Sequence, residues 1–254
     1  MHAVCISLDS LRQRAIVTGF ELHLATRRLQ RASRWARAFA FWPEEGGRRV
    51  VNIVVAIVGI VLTAPVMLVV AALVKLTSPG PVLYRQPRVG LDRRDGAAHG
   101  NNRRLADQGG RPFTIYKFRT MYVNNGNGSP QVWATRNDPR VTPLGRVLRQ
   151  YRLDELPQLF NVLLGEMNVV GPRPEQPAIF ARLREQIPHY QERQRVRPGI
   201  TGWAQINQRY DTSIADVQRK VAFDLEYVVR ESVLEDLRIL ARTVPVVLLR
   251  RGAL

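Results

Sequence analysis

Residues 50–74 read VVNIVVAIVGIVLTAPVMLVVAALV, with no charged side chain between Arg49 and Lys75. Wound as one helix at ~1.5 Å per residue, this run would reach ~37 Å, more than the ~30 Å of a bilayer's hydrocarbon. A signal peptide is a poor description, because the run starts late, is long and lacks a small-residue cleavage site. Its length and all-round apolarity also argue against the core helix of a soluble domain. Pro65 stands near the middle and has no N–H to donate, so it kinks or breaks the helix there. Arginines flank both sides: Arg27, Arg28, Arg31, Arg34, Arg37, Arg48 and Arg49 before, Arg85, Arg88, Arg93 and Arg94 after. Basic residues favour the cytoplasmic side, which draws both ends to one face. The residues therefore predict a re-entrant helix–break–helix over 48–76, with a kinked spanning helix as the alternative.

Composition bounds the rest. In 254 residues Lys plus Arg number 38 and Asp plus Glu 21, a formal charge of +17. That surplus points to a phosphate-rich partner, a nucleic acid or an anionic membrane. Aromatic residues are 7% of the chain and do not interleave with the basic ones, which argues against nucleic acid. An apolar content of 45% excludes a wholly disordered chain. Cys5 stands alone, so there is no intramolecular disulfide or cysteine-based zinc cluster. His2, His23, His99 and His189 share no ligand spacing, which argues against histidine metal chemistry.

The patterning outside the apolar run predicts a mainly α domain with short strands. Residues 1–47 form a basic extension whose arginines recur at helical spacing from Arg27 to Arg37, either an amphipathic helix on an anionic bilayer or a plain basic tail. Helical patterns cover Leu144–Arg152, Leu156–Leu164, Pro177–Arg195, Ile214–Val229 and Val233–Leu249, and strands are expected at Val82–Arg85 and Phe113–Phe118. Asp92–Pro112 and Asn124–Pro130 read as loops.

The densest chemistry lies in Arg146–Pro177, RVLRQYRLDELPQLFNVLLGEMNVVGPRPEQP. Asp154 and Glu155 are adjacent carboxylates with Arg149 and Arg152 just upstream. Taken alone they have a bland reading, with Asp154 capping a helix that holds Glu155 and Pro157 in its first turn and the arginines solvated. The turn Gly171-Pro172-Arg173-Pro174 offers a rigid arginine suited to a phosphate or a planar base.

Taken in order, the apolar run, Phe113–Met121 (FTIYKFRTM), Leu153–Val162 (LDELPQLFNV), Gly165-Glu166-Met167, Val170–Glu175 (VGPRPE) and Arg197–Gln205 (RPGITGWAQ) form a series. From Arg48 onward the chain resembles the bacterial sugar transferase family, the monotopic polyprenyl-phosphate hexose-1-phosphate transferases that begin the assembly of exopolysaccharides, capsules, O-antigens and glycoprotein glycans. The resemblance implies transfer of a sugar-1-phosphate from a UDP-sugar to undecaprenyl (polyprenyl) phosphate, with release of UMP and with Mg2+ as cofactor. It implies a re-entrant hairpin at 48–76 broken at Pro65, on the cytoplasmic face of the bacterial inner membrane in contact with membrane lipid. A cytosolic, membrane-associated catalytic domain then covers 77–254.

By the same resemblance Asp154 is the nucleophile of a covalent aspartyl-phosphosugar intermediate. Glu155 is a second metal ligand or a base, and Asp154 and Glu155 together hold the metal. An ionised carboxylate needs no base to attack, but the diphosphate repels it, so a cation must offset that charge. Arg149 matches a family arginine that holds phosphate. Lys117 and Arg119 fall near the site or, in the bland reading, are solvated charges on an edge strand. Pro172, Arg173 and Pro174 match the element associated with the nucleotide, and Arg197 is either a phosphate contact or a helix-end support. The chain departs from the family in three places. Asn52 replaces the acid that usually follows the basic pair, Ala64 precedes Pro65 where serine is common, and residues 91–112 are a longer, inserted link. An inactive membrane scaffold of the same fold keeps the same residues and is the alternative reading. The sugar is not specified, and the oligomeric state, a homodimer included, is left open.

Overall fold

The computed structural model describes residues 44–92, 109–123, 138–208 and 213–248. The arginine repeat at 27–37, most of the inserted link and the loop after residue 123 lie outside them. The mainly helical reading with short strands holds for the described residues. Helix α1 (Glu44–Thr77) leads into the antiparallel pair β1 (Leu83–Val89) and β2 (Pro112–Phe118). Then follow α2 (Pro143–Gln150), a 3₁₀ turn at Leu153–Glu155, α3 (Gln158–Leu163) and β3 (Asn168–Val170). The chain continues through α4 (Pro177–Gln186), a second 3₁₀ segment at Tyr190–Arg195, β4 (Gly199–Thr201), α5 (Trp203–Asn207), α6 (Ile214–Arg230) and α7 (Val233–Leu248).

Helix α1 is 34 residues long and is helical through Pro65, not divided there. Proline removes one hydrogen bond, the one that Val61's carbonyl would have accepted, but not the helical course. Thr63 Oγ1 donates to the Gly59 carbonyl at 2.6 Å, a back-bond of the kind that accompanies helix bending, although Ala64 carries no hydroxyl. The helix is long and apolar enough to cross a membrane by length and composition. Its buried positions, Asn52, Ala56, Val70 and Val74, recur on one stripe, while Leu62, Leu68 and Leu76 stand 72%, 72% and 81% exposed. Ala56 packs on Phe113, Ile115, Val162 and Met167, and Val70 and Val74 pack on Phe118 and Leu148.

Polar side chains fasten both ends of this stripe. Arg48 donates to Glu231 (2.5 Å), Asp236 (3.0 Å) and the Tyr227 hydroxyl (2.7 Å). Arg49 donates to the Val162 and Leu163 carbonyls, closing the C-terminal end of α3. Asn52, where the family carries an acid, still anchors: its Oδ1 accepts from the Val169 N–H at 2.5 Å.

Strand β1 runs on through Pro87 to Val89, four residues beyond the expected end, because an edge strand tolerates a missing donor. The single helix expected over Pro177–Arg195 stops at Gln186. Pro188 holds Ile187 extended (φ −121°, ψ 117°), and the turn restarts as 3₁₀ after His189 at φ 62°. The parallel pair β3–β4 was not expected; at three residues per strand it has no readable period.

Asn161, fully buried on α3, sets where α3 lies on β2. Its Oδ1 accepts from the Tyr116 N–H (3.1 Å), and its Nδ2 donates to the Thr114 carbonyl and to Glu166 (2.7 Å each). Replacing it by alanine leaves the Tyr116 N–H and the Thr114 carbonyl, both in part-buried hydrogen bonds, without that partner and empties a fully buried position. Asn161→Ala is expected to cost about 3 kcal/mol or more of stability, checked by thermal or denaturant unfolding of the solubilised protein.

Candidate active site

The site is assembled where β2, the turn after α2 and the Gly171–Glu175 segment meet. Helix α2 starts with Thr142 as cap, its Oγ1 accepting from the Gly145 N–H at 2.8 Å, and with Pro143 in the first turn. Gly145 permits the approach to the strand end, since a Cβ there would lie 2.1 Å from the Thr120 carbonyl oxygen. One turn later Arg149 Nε donates to Thr120 Oγ1 at 2.9 Å. Arg152 then takes a left-handed backbone (φ 55°, ψ 20°), which ends α2 and starts the 3₁₀ turn carrying Asp154 and Glu155. A left-handed non-glycine residue is strained, and such strain collects at functional sites.

Neither carboxylate is a solvated cap. Helix α3 begins after Pro157 without a side-chain cap, and both Asp154 and Glu155 are buried. Glu155 Oε1 accepts from Lys117 Nζ at 2.7 Å and from an Arg173 terminal nitrogen at 2.9 Å, and Arg152 approaches Oε2 at 3.5 Å. Burial pushes the Glu155 carboxyl up, but Arg173, Lys117 and Arg152 outweigh it and hold the group well below the usual range. Asp154 is different. Among the described residues nothing donates a hydrogen bond to its carboxylate. Burial, and then the neighbouring Glu155 charge, push it up to about 6 against the pull of Lys117, Arg149 and Arg173. Burial lowers Lys117, with Glu155 opposing that.

The Pro172–Arg173–Pro174 turn is clamped from behind. Pro172's carbonyl accepts from the Gly199 N–H at 2.9 Å, Pro174's from Arg88 at 2.9 Å and Arg173's from Arg193 at 3.1 Å. Arg193, fully buried, also donates to Asp224 at 2.6 Å, and Lys220 reaches Glu175 at 2.8 Å. That carboxyl is lowered to about 2 as Lys220 and Arg193 outweigh its burial.

The structure thus brings Asp154, Glu155, Lys117, Arg149 and the Pro172–Pro174 turn together. It does not bring Arg119 there: that guanidinium donates to the Ser78 and Pro79 carbonyls and to Ser78 Oγ, closing the end of α1. Arg119 is buried and Lys117 is half-buried in an ion pair with Glu155, so the solvated edge-strand reading fails for each. Arg197 Nε donates to the Gly165 carbonyl at 3.2 Å, just past α3, a helix-end support. Pro65 lies within α1. Sequence reasoning missed the tasks of Arg88, Arg193 and Gln205. Gln205 sits inside a quoted motif and Arg88 among the flanking arginines, but only their neighbours in space give them a task.

A family model described as bacterial sugar transferase matches residues 44–250. The chain belongs to this family. It is 43% identical over 199 residues to the UDP-glucose:undecaprenyl-phosphate glucose-1-phosphate transferase of Escherichia coli K12, covering 78% of this chain and 39% of that protein. It is 40% identical over 206 residues to the UDP-N-acetylgalactosamine-undecaprenyl-phosphate N-acetylgalactosaminephosphotransferase of Aeromonas hydrophila, covering 81% of this chain and 44% of that protein. A Caulobacter vibrioides protein with the same name as the E. coli relative is 42% identical over 200 residues, with 78% and 68% covered. The chain therefore spans less than half the length of the first two. The family match contains every site residue above.

The asymmetry of the two carboxylates has measurable consequences. Glu155→Gln leaves the partly exposed Lys117 and Arg173 without their counter-charge and is expected to destabilise the ligand-free protein by about 1–3 kcal/mol. Asp154→Asn removes a like charge and should leave its stability equal or higher. Because the folded-state pKa of Asp154 is raised from 3.8 to about 6, the wild type's share of stability from this group is full below pH 4 and is lost as pH rises through 6. Unfolding curves of wild type and Asp154→Asn between pH 4 and 7 should therefore diverge as pH rises.

Proposed function

We propose that this member of the sugar transferase family transfers a sugar-1-phosphate from a UDP-sugar to undecaprenyl phosphate and releases UMP. The observation that carries the reading is Asp154, a buried carboxylate that receives no hydrogen bond among the described residues, set among Lys117, Arg149 and Arg173. With Lys117 and Arg173 paired to Glu155 and Arg149 paired to no acid among the described residues, the cluster suits an anionic substrate, and the relatives' names state the donor and acceptor classes. Of Arg149, only Nε is bonded among the described residues, which leaves its outer nitrogens for a phosphate.

In the first step an Asp154 oxygen attacks the phosphorus that bears the sugar. The Asp–O–P bond forms, the phosphoanhydride bond breaks and its electron pair leaves with UMP. In the second step an oxygen of the polyprenyl phosphate attacks the same phosphorus, and the Asp154 carboxylate departs unchanged. Lys117 and Arg173 hold Glu155 and offset the charge that gathers at the diphosphate. Arg149 orients the transferred phosphoryl group.

The donor set admits a divalent cation in a limited way. Among the described residues no group of three or more His, Cys, Asp or Glu converges. Glu155 already faces three cations, whereas the Asp154 oxygens are unclaimed. Magnesium commonly takes one or two carboxylates and completes its shell with phosphate oxygens and water. Asp154, with Glu155 beside it, would hold Mg2+ together with the diphosphate, and the ion would neutralise charge there.

We also read α1 as re-entrant, on the cytoplasmic face of the bacterial inner membrane. The stripe from Asn52 to Val74 spans ~33 Å of helix and packs on one polar body along its length. Arg48 fastens one end and Arg119 the other. A straight crossing would carry that body into the hydrocarbon, where charged groups are costly.

The purified full chain, given undecaprenyl phosphate, Mg2+ and a panel of UDP-sugars, should release UMP with at least one sugar. Asp154→Asn should lower turnover by 1000-fold or more (an order-of-magnitude expectation for a lost nucleophile), and EDTA should abolish it reversibly. Unchanged turnover in Asp154→Asn would remove it from the nucleophile's role. In a Cys5→Ser background, single cysteines at Gly46 and Thr77 should both react with an impermeant thiol reagent from the cytoplasmic side only. Labelling from opposite sides would establish a spanning helix.

A further inference from the structure

In the stretch Lys117-Phe118-Arg119-Thr120 each polar residue has a different task. Lys117 pairs with Glu155, Arg119 closes the end of α1, and Thr120 receives Arg149. Thr120 is buried and meets helix α2 at both ends. Its carbonyl accepts from the Thr142 N–H at 3.0 Å, and the bare Cα of Gly145 lets the first turn of α2 lie against it. Its Oγ1 accepts from Arg149 Nε, in the last turn of α2, at 2.9 Å. The next residue, Met121, pairs with Val141 in an antiparallel bridge, so the backbone that carries the hydroxyl is itself held.

A guanidinium is a planar fork of five N–H groups. Fixing Nε fixes the plane and leaves the edge formed by the two terminal nitrogens, which can take two phosphate oxygens at once. Those nitrogens have no hydrogen-bond partner among the described residues, and the Arg149 side chain is half-buried rather than enclosed. The charge of Arg149 acts on two acids, Asp154 and Asp138. Arg140 already takes Asp138, at 2.9 and 2.6 Å, so a loosened Arg149 would find Asp154 as the open acid. An acidic acceptor at position 120 would cancel the charge of the guanidinium, whereas a hydroxyl holds it and leaves the charge intact. Resting on the reading of Arg149 as the group that orients the transferred phosphoryl, we infer that Thr120 is a positioning residue for this reaction: its hydroxyl oxygen fixes the Arg149 guanidinium so that the terminal edge serves the phosphoryl group and stays apart from Asp154. Thr120 acts through Arg149 and needs no contact with substrate.

The test is a double-mutant cycle on the detergent-solubilised full chain, with Thr120→Val, Arg149→Gln and the two combined, and with Thr120→Ser beside them. Valine keeps the size and the β-branch and removes the acceptor, whereas serine keeps the oxygen. UMP release is followed with undecaprenyl phosphate, Mg2+ and the UDP-sugar that the wild type turns over fastest, and unfolding gives the Tm. Thr120→Val is expected to lower kcat about tenfold to a hundredfold, the scale of a misplaced orienting group, with KM for the UDP-sugar within about threefold of wild type. Thr120→Ser should keep kcat within about threefold, and in the Arg149→Gln background Thr120→Val should change kcat by less than about twofold. A loss of less than about tenfold in Thr120→Val overturns the inference. So does a loss that persists undiminished in the Arg149→Gln background, because Thr120 would then act on something other than Arg149. A loss in Thr120→Ser equal to that in Thr120→Val overturns it as well, since serine retains the oxygen. A fall of more than about 5 °C in the Tm of Thr120→Val marks the hydroxyl as support for the fold and has the same consequence. Unchanged kcat in Arg149→Gln, or a wild type that releases UMP from no UDP-sugar, would instead bring down the reading of the site beneath it.

Discussion

The burial of Glu155 among Lys117, Arg173 and Arg152 is the constraint on which the rest of the site depends. A buried carboxylate is costly alone and is tolerated when cations offset its charge, so removing either side leaves the other uncompensated. The pairs join three separate pieces of chain: β2 through Lys117, the turn after α2 through Glu155, and the Gly171–Glu175 segment through Arg173. Once Glu155 has absorbed that positive charge, Asp154 next to it is left with burial and a like charge, and no donor. Adjacent positions on one short turn thus acquire opposite properties, one carboxyl held well below its usual range by ion pairs and the other raised by burial. That division is the usual way in which two carboxylates take two roles.

Hydrogen bonds from behind the Pro172–Pro174 turn keep Arg173 where Glu155 needs it. Arg193, Arg88 and the Gly199 N–H take the three carbonyls of Pro172–Pro174, and Asp224 and Glu175 balance the buried charges. Asn161 fixes α3 against β2 and so fixes Lys117 relative to Glu155. The apolar helix is tied into the same framework at both ends by Arg48 and Arg119. The apolar helix and the carboxylate pair are therefore parts of one folded unit.

The long helix, the two hairpin strands and the last two helices were legible because each has a period or a length that the chain displays by itself. The Asp154–Glu155 pair, Arg149 and the Pro172–Pro174 turn were legible because their residues cluster in short motifs. The continuity of α1 through Pro65 was not, since one lost hydrogen bond signals a kink or a break equally. Nor were the three-residue strands β3 and β4, or the restart of the chain after Pro188. The placement of arginines was the hardest part: Arg119 and Arg197 look like site residues beside the motifs, yet they close helix ends, while Arg88 and Arg193 brace the turn from a distance.

The sequence by itself determined that this protein carries a helix long and apolar enough to cross a membrane, that its fold is mainly helical and that two adjacent carboxylates stand among arginines, because hydrophobic length, helical period and motif order are properties of the chain in one dimension. Only the tertiary structure decided which carboxylate is ion-paired and which receives no hydrogen bond among the described residues, and which arginines meet that pair and which close helix ends. Those distinctions depend on burial and on distances between residues far apart in the chain. Charges and hydrogen bonds take their value from the neighbours that folding supplies.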